Sequence, residues 1–210
     1  MSMFAYEPKN DFASNYKYLI GGILPRPIAF VSTRNVDGSN NVAPFSFFTA
    51  ISASPMIVAF CPMIRSSDGK KKDTVINIER EREFVINMVT QNMIDPVNTA
   101  SMEVPYGEDE FLLSQLTPID SLKVKAKRVK ESPLHFECVL RDVLNYGDTP
   151  GSGRIITGEV VQVHADEKIM QNGRIITQLF QPVGRGAGND WILCDHVIEK
   201  ERLMKMQIQK

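Results

Sequence analysis

Short apolar stretches separated by turn residues run through much of the chain, and this pattern predicts a strand-rich fold. Residues 26–33, 55–61 and 83–89 are rich in apolar and β-branched residues and have the length of a strand. Between the first two, Asp37-Gly38 is a dipeptide typical of a hairpin turn. Two further strands are predicted at residues 134–143 and Arg154–Ala165, with the glycine- and proline-containing segment 145–153 as the loop between them.

Other segments show clear periodicity. In residues 122–127 apolar and lysine residues alternate, which predicts a strand with one buried face. Short helices are predicted over residues 74–82 with Asp73 as the cap, and over residues 91–102, 108–113 and 196–209. Because strands do not alternate regularly with long helices, a mainly β fold with peripheral helices is favoured over a doubly wound parallel sheet. We expect a closed antiparallel barrel.

Length and composition narrow the class of protein. The chain has 210 residues, which suits one domain, and its 24 basic and 25 acidic residues argue against a nucleic-acid-binding protein. No apolar run approaches the roughly 20 residues of a membrane helix, and the N-terminus lacks a secretory pattern, so we expect a cytoplasmic protein. The three cysteines form no Cys-x-x-Cys pair and the three histidines show no ligand spacing, so neither a disulfide framework nor a metal site is expected.

One polar segment has the composition of a phosphate site. Residues 66–74 combine hydroxyl groups, a glycine and three lysines immediately before the predicted helix at Asp73. A helix N-terminus presents unpaired amides and a positive dipole end, both of which favour a phosphate. Arg80 and Arg82 are candidates for additional positive charge. The alternative interpretation is a solvated, lysine-rich surface loop.

Two other segments are candidates for contact with a flat ring. Residues 40–49 offer aromatic walls together with the hydroxyls of Ser46 and Thr49, a combination typical of cofactor pockets. Residues 181–191 contain three alternating glycines and end at Trp191, which fits a loop over a ligand with the indole as a wall. The alternatives are a core strand for the first segment and a flexible loop for the second.

These segments together resemble a known family. The sequences PRPIAFVST (25–33), NVAPFSFF (41–48), KDTVINI (72–78) and FVIN (84–87) follow one another as in the flavin reductase-like family of FMN-binding split barrels, which includes the flavoredoxins. The resemblance implies one domain over residues 1–210, with an N-terminal extension and a C-terminal helical tail. It also implies a six-stranded Greek-key barrel, a homodimer, and FMN bound near the dimer interface.

The resemblance also implies roles for particular residues. Residues 31–33 and residues 46–49 would line the flavin, and the lysine-rich segment would hold its phosphate. Arg26 would lie near the ring or a nicotinamide. The candidate cofactor-binding residues are Arg26, Ser32, Thr33, Ser46, Phe47, Phe48, Thr49, Ser67, Lys72, Asp73 and Thr74.

The activity that the resemblance implies is electron transfer from NADH or NADPH to FMN, followed by transfer to an acceptor oxygenase or redox protein. Two alternatives remain open. One is an FMN electron-transfer protein of the flavoredoxin type without catalytic turnover. The other is a barrel that binds a different anionic small molecule.

Overall fold

The structure is a computed structural model that describes residues 2–9 and 11–201. Its main element is a seven-stranded sheet with the strand order β3-β2-β6-β9-β10-β5-β4, in which all neighbouring strands are antiparallel. These strands are β2 (Ala29–Arg34), β3 (Asn40–Phe45), β4 (Phe48–Ala53), β5 (Met56–Phe60), β6 (Glu83–Met88), β9 (Leu134–Asn145) and β10 (Arg154–Ala165).

Three small sheets and several short helices surround the main sheet. The small sheets pair β1 (Arg26–Pro27) with β13 (Val183–Arg185) and β14 (Trp191–Leu193), β7 (Pro118–Ile119) with β8 (Arg128–Val129), and β11 (Met170–Gln171) with β12 (Arg174–Ile175). The helices are α1 (Phe12–Gly22), α2 (Asp73–Glu81), α3 (Ile94–Thr99), α4 (Glu110–Leu113) and α5 (Thr177–Phe180), with 3₁₀ turns at Gln91–Met93 and Glu167–Ile169. No helix in the described part of the chain is long and apolar enough to cross a membrane.

The two edges of the main sheet meet at one place. Strands β3 and β4 are the two edge strands, and only Ser46 and Phe47 lie between them in the chain. Each edge belongs to a hairpin, β2–β3 or β4–β5, while β5 and β6 are separated in the sheet by β9 and β10. The chain that joins β5 to β6 therefore passes over two strands, and such a long connection is a feature of Greek-key sheets. The short link at Ser46 therefore brings both edges together, and the sheet curls into a barrel that is split at this point.

The interior of the barrel is held together by aromatic contacts. The rings of Phe45 and Phe60 lie 5.0 Å apart, and Phe84 meets Phe60 edge-on at 5.6 Å. A second apolar cluster on the outer face of β2 packs against α3, α4 and β13; its members include Ile28, Phe30, Val42, Met93, Val97, Phe111 and Val183. Because apolar layers cover both faces of β2, its residues are buried on both faces.

Gly158 of β10 lies where no side chain fits. A Cβ atom built at this position would be 2.4 Å from Cζ of Phe84. We therefore expect Gly158→Ala to destabilise the protein by about 1–3 kcal/mol through overpacking, measured as a lower midpoint in denaturant unfolding. Gly153→Ala is the matched control, because its added Cβ meets nothing within 4 Å. Equal midpoints for the two variants would contradict this account of the barrel core.

Most of the predicted strands are confirmed, and so is the mainly β class. The stretches at residues 26–33, 55–61, 83–89, 134–143 and Arg154–Ala165 all contain strands, and Asp37-Gly38 lies in the β2–β3 hairpin. The predicted number of six strands is not confirmed, because the main sheet has seven.

The strand predicted at residues 122–127 is wrong. The segment is a bent loop, because the amides of Leu122, Lys123 and Val124 all donate to the carboxylate of Glu137, at 2.8, 2.5 and 3.2 Å. Successive amides of a strand point to opposite sides, whereas here three of them converge on one anion. The carboxylate is fully buried and also contacts Nε2 of His164 at 2.6 Å.

The helices agree with the sequence in part. The helix predicted at residues 91–102 is a 3₁₀ turn followed by α3, with Pro96 in the first turn, and the single turn near residue 110 is confirmed as α4. Helix α2 is present, but its N-cap is Lys72, so Asp73 is its first residue rather than its cap. Residues 196–201 are not helical, and the remainder of the helix predicted at 196–209 lies outside the described residues.

Candidate functional site

A groove runs along β3 and the start of α2, next to the link at Ser46. It contains three adjoining cavities that share Pro44 as a common wall. The central cavity has a volume of 390 Å³ and is lined by residues that include Tyr16, Ser46, Phe47, Arg65 and Lys72. The inner cavity is only 70 Å³, and its lining includes Asn41, Asp73, Thr74, Glu103 and Glu110. The third cavity lies beside residues 181–191, which we call the glycine loop. This glycine-loop cavity is 210 Å³, and its lining includes Ile28, Ser46, Arg185 and Trp191.

Two cations form one corner of the groove. Arg65 and Lys72 both line the central and the inner cavity, beside the N-terminus of α2. Burial lowers the pKa of the Lys72 ammonium, and the Glu103 carboxylate partly opposes this shift. The Arg65 guanidinium pairs with Asp68 at 3.2 Å, and its side chain is only 14% exposed. An anion placed between the two cations would therefore replace lost hydration and gain from the helix dipole.

The inner cavity has carboxylates beside the two cations. Asp73, Glu103 and Glu110 all line it, and Oδ1 of Asp73 is buried without a hydrogen-bond partner. Burial raises the pKa of Asp73, and hydrogen bonding from the Gly107 backbone and the charge of Arg65 oppose the shift. Since Asp73 and Glu110 line the inner cavity and not the central one, an anion meets less repulsion on the side of Arg65 and Lys72 that faces the central cavity.

A polar network behind this wall joins β2, β3, α2 and α4. Oδ1 of Asn41 accepts hydrogen bonds from the hydroxyls of Thr33 at 2.9 Å and Thr74 at 3.0 Å, and its Nδ2 donates to Glu110 at 2.8 Å. Nδ2 of Asn77 also donates to the Thr33 hydroxyl, at 3.0 Å. All five side chains are buried, so the network fixes the start of α2 against the barrel.

Glu110 is the titrating member of this network. Burial raises its pKa to about 7, although hydrogen bonds from the backbone and from Asn41 oppose the shift. The folded chain thus binds a proton that the unfolded chain releases near pH 4.5, so this stabilisation is complete below pH 4.5 and is lost as the pH rises through about 7.

We expect the melting temperature of wild type to fall relative to that of Glu110→Gln between pH 5 and pH 8. Glu108→Gln, a change at an exposed neighbouring carboxylate, is the control; a constant difference between wild type and Glu110→Gln would contradict the assignment.

Aromatic side chains form the apolar wall of the central cavity. Phe47 comes from the link between the sheet edges, and Phe12 and Tyr16 come from α1. The ring centroids of Tyr16 and Phe47 are 6.3 Å apart, and those of Phe12 and Tyr16 are 5.2 Å apart. A flat ligand in this cavity would contact aromatic faces from two segments that are distant in sequence.

Arg26 supports the groove from behind. Its guanidinium is buried and donates to the carbonyls of Ile20 in α1 at 2.5 Å and Gly186 in the glycine loop at 2.8 Å. Its Nε also donates to Oγ of Ser46 at 3.3 Å. Because the Ser46 oxygen accepts this bond, its own hydrogen is available to donate into the central or the glycine-loop cavity.

The glycine loop closes the far end of the groove. The Arg185 guanidinium lies 4.8 Å from the centre of the Trp191 ring and donates to the Gly188 carbonyl at 2.7 Å. This cation–π contact holds the indole against the cavity that Ser46 and Pro44 also line.

Residues 21–178 match the family described as flavin reductase like domain. The chain belongs to this family. An uncharacterized protein of Halalkalibacterium halodurans is 36% identical over 179 residues, which are 84% of this chain and 85% of that protein. The crystal structure of nitrilotriacetate monooxygenase component B from Bacillus cereus is 31% identical, with a TM-score of 0.87 over 97% of this chain and 100% of that chain. A Shewanella frigidimarina protein with a split barrel domain has a TM-score of 0.79 at 20% identity over 91% and 93% of the two chains, which shows the split-barrel fold.

In this flavin reductase-like chain, several predicted site residues do meet in the groove. Ser46, Phe47 and Lys72 line the central cavity, while Asp73 and Thr74 line the inner cavity. The Thr74 hydroxyl, however, already donates to Asn41. Ser67 lines a neighbouring cavity on the outer side of Arg65, and Arg26 acts on the groove through Ser46.

Other predicted residues lie away from the groove of the flavin reductase-like chain. Ser32 and Thr33 are buried and their hydroxyls are hydrogen-bonded inside the protein, Ser32 to the Lys127 carbonyl at 2.5 Å. Phe48 packs against the barrel core, and the exposed Thr49 donates to the carbonyl of Ala50, the residue that follows it.

Arg80 and Arg82, the candidates for additional charge at the predicted phosphate site, also lie away from the groove. Arg80 and Arg82 lie about 10 Å or more along the helix axis from Asp73, the first residue of α2, so they belong to its opposite end. Arg80 pairs there with Glu81 at 3.0 Å and donates to the Arg34 carbonyl at 2.5 Å.

Three groove residues of the flavin reductase-like chain were absent from the sequence-based candidates. Arg65 directly precedes the predicted phosphate segment, and its charge next to Ser66 was a usable signal. Phe12 and Tyr16 stand four residues apart after Asp11, whose carboxylate caps α1 by accepting the Ala13 amide at 3.1 Å. That combination of cap and spacing is a helix signature that also predicts a shared face.

Proposed function

We propose that this flavin reductase-like chain binds FMN with its phosphate at Arg65 and Lys72 and its ring in the central cavity, and that it transfers electrons from NADH or NADPH to the flavin. The observation that carries the proposal is the pair of half-buried cations at the N-terminus of α2, next to an aromatic-walled cavity of 390 Å³. This volume falls in the range of roughly 300–1,000 Å³ for small-molecule sites.

The residues of the groove fit the phosphate of FMN, the faces of its ring and the polar edge of the ring. The two cations suit the phosphate, which carries nearly two negative charges near neutral pH. Phe47 and Tyr16 offer apolar faces to the ring. The Ser46 hydroxyl, whose oxygen is held by Arg26, is a hydrogen-bond donor suited to the polar edge of the ring. The inner cavity is too small for a ring, and its volume suits ordered water.

The bound flavin would supply the redox chemistry, accepting a hydride from the nicotinamide and releasing electrons to an acceptor. The side chains of this chain would fix the position of the flavin and exclude water from one of its faces. No acid–base residue is needed for the hydride step. The similarity to component B of a monooxygenase supports a separate oxygenase as the acceptor.

Purified protein mixed with FMN, followed by NADH or NADPH, tests the proposal. We expect a flavin absorption spectrum that bleaches with at least one donor, and oxidation of that donor that increases as free FMN is added. A bound, reducible flavin without turnover would favour an electron carrier of the flavoredoxin type. A protein that does not bind FMN at all would exclude both and favour another anionic ligand.

We also propose that the chain is a homodimer with FMN near the subunit interface. Large apolar side chains are exposed on strands of the main sheet, among them Ile51, Val139, Val161 and Val163. A surface with such residues is suited to association with a second copy. Light scattering should give about twice the chain mass of 23.6 kDa. A mass of 23.6 kDa with FMN bound would contradict the dimer and leave the electron-transfer proposal intact.

A further inference from the structure

A fourth cavity, which we call the outer cavity, lies on the outer side of the cationic corner. It has a volume of 440 Å³, and its lining includes Arg65, Ser67, Lys70, Lys71, Ile76 and Tyr106. Arg65 and Glu103 line both the outer and the central cavity. The proposed phosphate position is therefore a point from which a longer ligand can continue outward.

The lining of the outer cavity has two chemically different sides. One side comes from the loop before α2 and carries the cations Arg65, Lys70 and Lys71 together with Asp68, which pairs with Arg65 at 3.2 Å. The other side is apolar and aromatic, with Ile76 on α2 and Tyr106 on the segment after α3, where 47% of Tyr106 is exposed. The Tyr106 hydroxyl lies 3.5 Å from Oδ1 of the buried Asn77, which makes at most a weak hydrogen bond.

This combination suits an anionic group joined to a flat heterocycle. Lysine and arginine side chains neutralise phosphate oxygens, and a partly exposed tyrosine offers a face for base stacking. Lys71 already pairs with Glu79 at 2.6 Å, so Lys70 is the lysine best placed to meet a ligand. A simple inorganic phosphate would leave Ile76 and Tyr106 without contacts.

From these contacts we infer that the outer cavity binds the adenylate half of a dinucleotide whose phosphate chain passes Arg65. The inference rests on the proposed function, because the other half of the ligand is either the flavin in the groove or a nicotinamide that lies against that flavin. Two dinucleotides carry this chemistry. One is FAD bound in place of FMN, and the other is the NADH or NADPH that reduces the bound flavin.

Two substitutions test the inference by binding rather than by activity. Tyr106→Ala removes the stacking face, and Lys70→Ala removes one charge from the basic side. We expect each to weaken the affinity for the adenylate-bearing ligand by about tenfold, while the affinity for FMN changes less than about twofold. Isothermal titration would measure FMN and FAD with the apoprotein. For NADH and NADPH it would use protein whose bound FMN has first been reduced with dithionite under anaerobic conditions, so that no hydride transfer adds heat to the binding signal.

Matched controls separate loss of the ring from general damage. Tyr106→Phe keeps the stacking face and removes only the hydroxyl, so its affinities should match wild type. Tyr146→Ala removes an exposed tyrosine that lines none of the four cavities. Lys130→Ala removes an exposed lysine elsewhere on the surface.

The outcomes distinguish the two sources and the two proposals. A selective loss of FAD affinity supports the inference with FAD as the ligand, and a selective loss of NADH or NADPH affinity supports it with the nicotinamide dinucleotide. If FMN binds normally and neither substitution changes the affinity for any dinucleotide, the inference is overturned and the proposed function stands. If no flavin binds to the wild-type protein, both fail.

Discussion

Replacing Arg65 and Lys72 together by alanine is expected to lower the affinity for FMN by about a hundredfold or more. Each cation should make a charge-assisted contact to the phosphate worth about 1.5–3 kcal/mol, and every 1.4 kcal/mol is a factor of ten in affinity. Both cations line the central cavity, and Lys72 is half-buried, so its ammonium is already partly removed from water and its pKa is lowered. Quenching of flavin fluorescence on titration would give the dissociation constants.

The comparison with riboflavin gives this prediction its specificity. Riboflavin lacks the phosphate, so its affinity should be similar in wild type and in the double variant. The charge control is Lys130→Ala combined with Arg174→Ala, which removes two exposed cations elsewhere. If the double variant at Arg65 and Lys72 bound FMN as tightly as this control, the phosphate would lie somewhere else.

Replacing Glu137 by glutamine is expected to cost about 3–5 kcal/mol of folding free energy, the typical effect of breaking a buried charged contact. The buried carboxylate accepts the amides of Leu122, Lys123 and Val124 and contacts His164. A glutamine has one acceptor oxygen in place of two, so buried donors would lose their partners. Chemical denaturation at pH 7 should show a lower midpoint.

The pH dependence of the Glu137 effect is a second measurement. Burial by itself would raise the pKa of Glu137, but the amides of the loop and His164 lower it more, so its pKa lies below the usual value. The stabilisation is therefore complete above pH 4.5, the model-compound value, and is lost as the pH falls through the lower pKa of the folded state. The difference in the free energy of unfolding between wild type and Glu137→Gln should therefore decrease at acid pH. Glu131→Gln is the control, because within the described part of the chain this carboxylate accepts the Thr117 amide alone. Its free energy of unfolding should differ little from that of wild type at every pH.

The strands of the barrel were predictable because their side chains follow local rules. Residues 55–61 are apolar along their whole length, and residues 83–89 are apolar except at Glu83 and Asn87; such runs become buried strands whatever their partners. The segment 122–127 shows where this reasoning fails. Its alternation is that of a strand, but its amides are bound by Glu137, fifteen residues after Leu122, and no local pattern reveals that contact.

The candidate site was predictable as segments more than as single residues. The lysine-rich loop and the link that carries Phe47 both line the central cavity. The direction of each side chain depends on packing: because apolar layers cover both faces of β2, Ser32 and Thr33 point into the protein. Arg80 carries the right charge, but helix length places it at the wrong end of α2.

The hydrogen bonds of Asn41 have a consequence for the speed of ligand association. Thr33, Thr74 and Glu110 all bind this one amide, so the wall of the groove is rigid before any ligand arrives. A preorganised wall avoids the entropy cost of ordering side chains on binding. Encounter would then be limited by diffusion and orientation rather than by a rearrangement of the protein, and the association rate should rise linearly with ligand concentration.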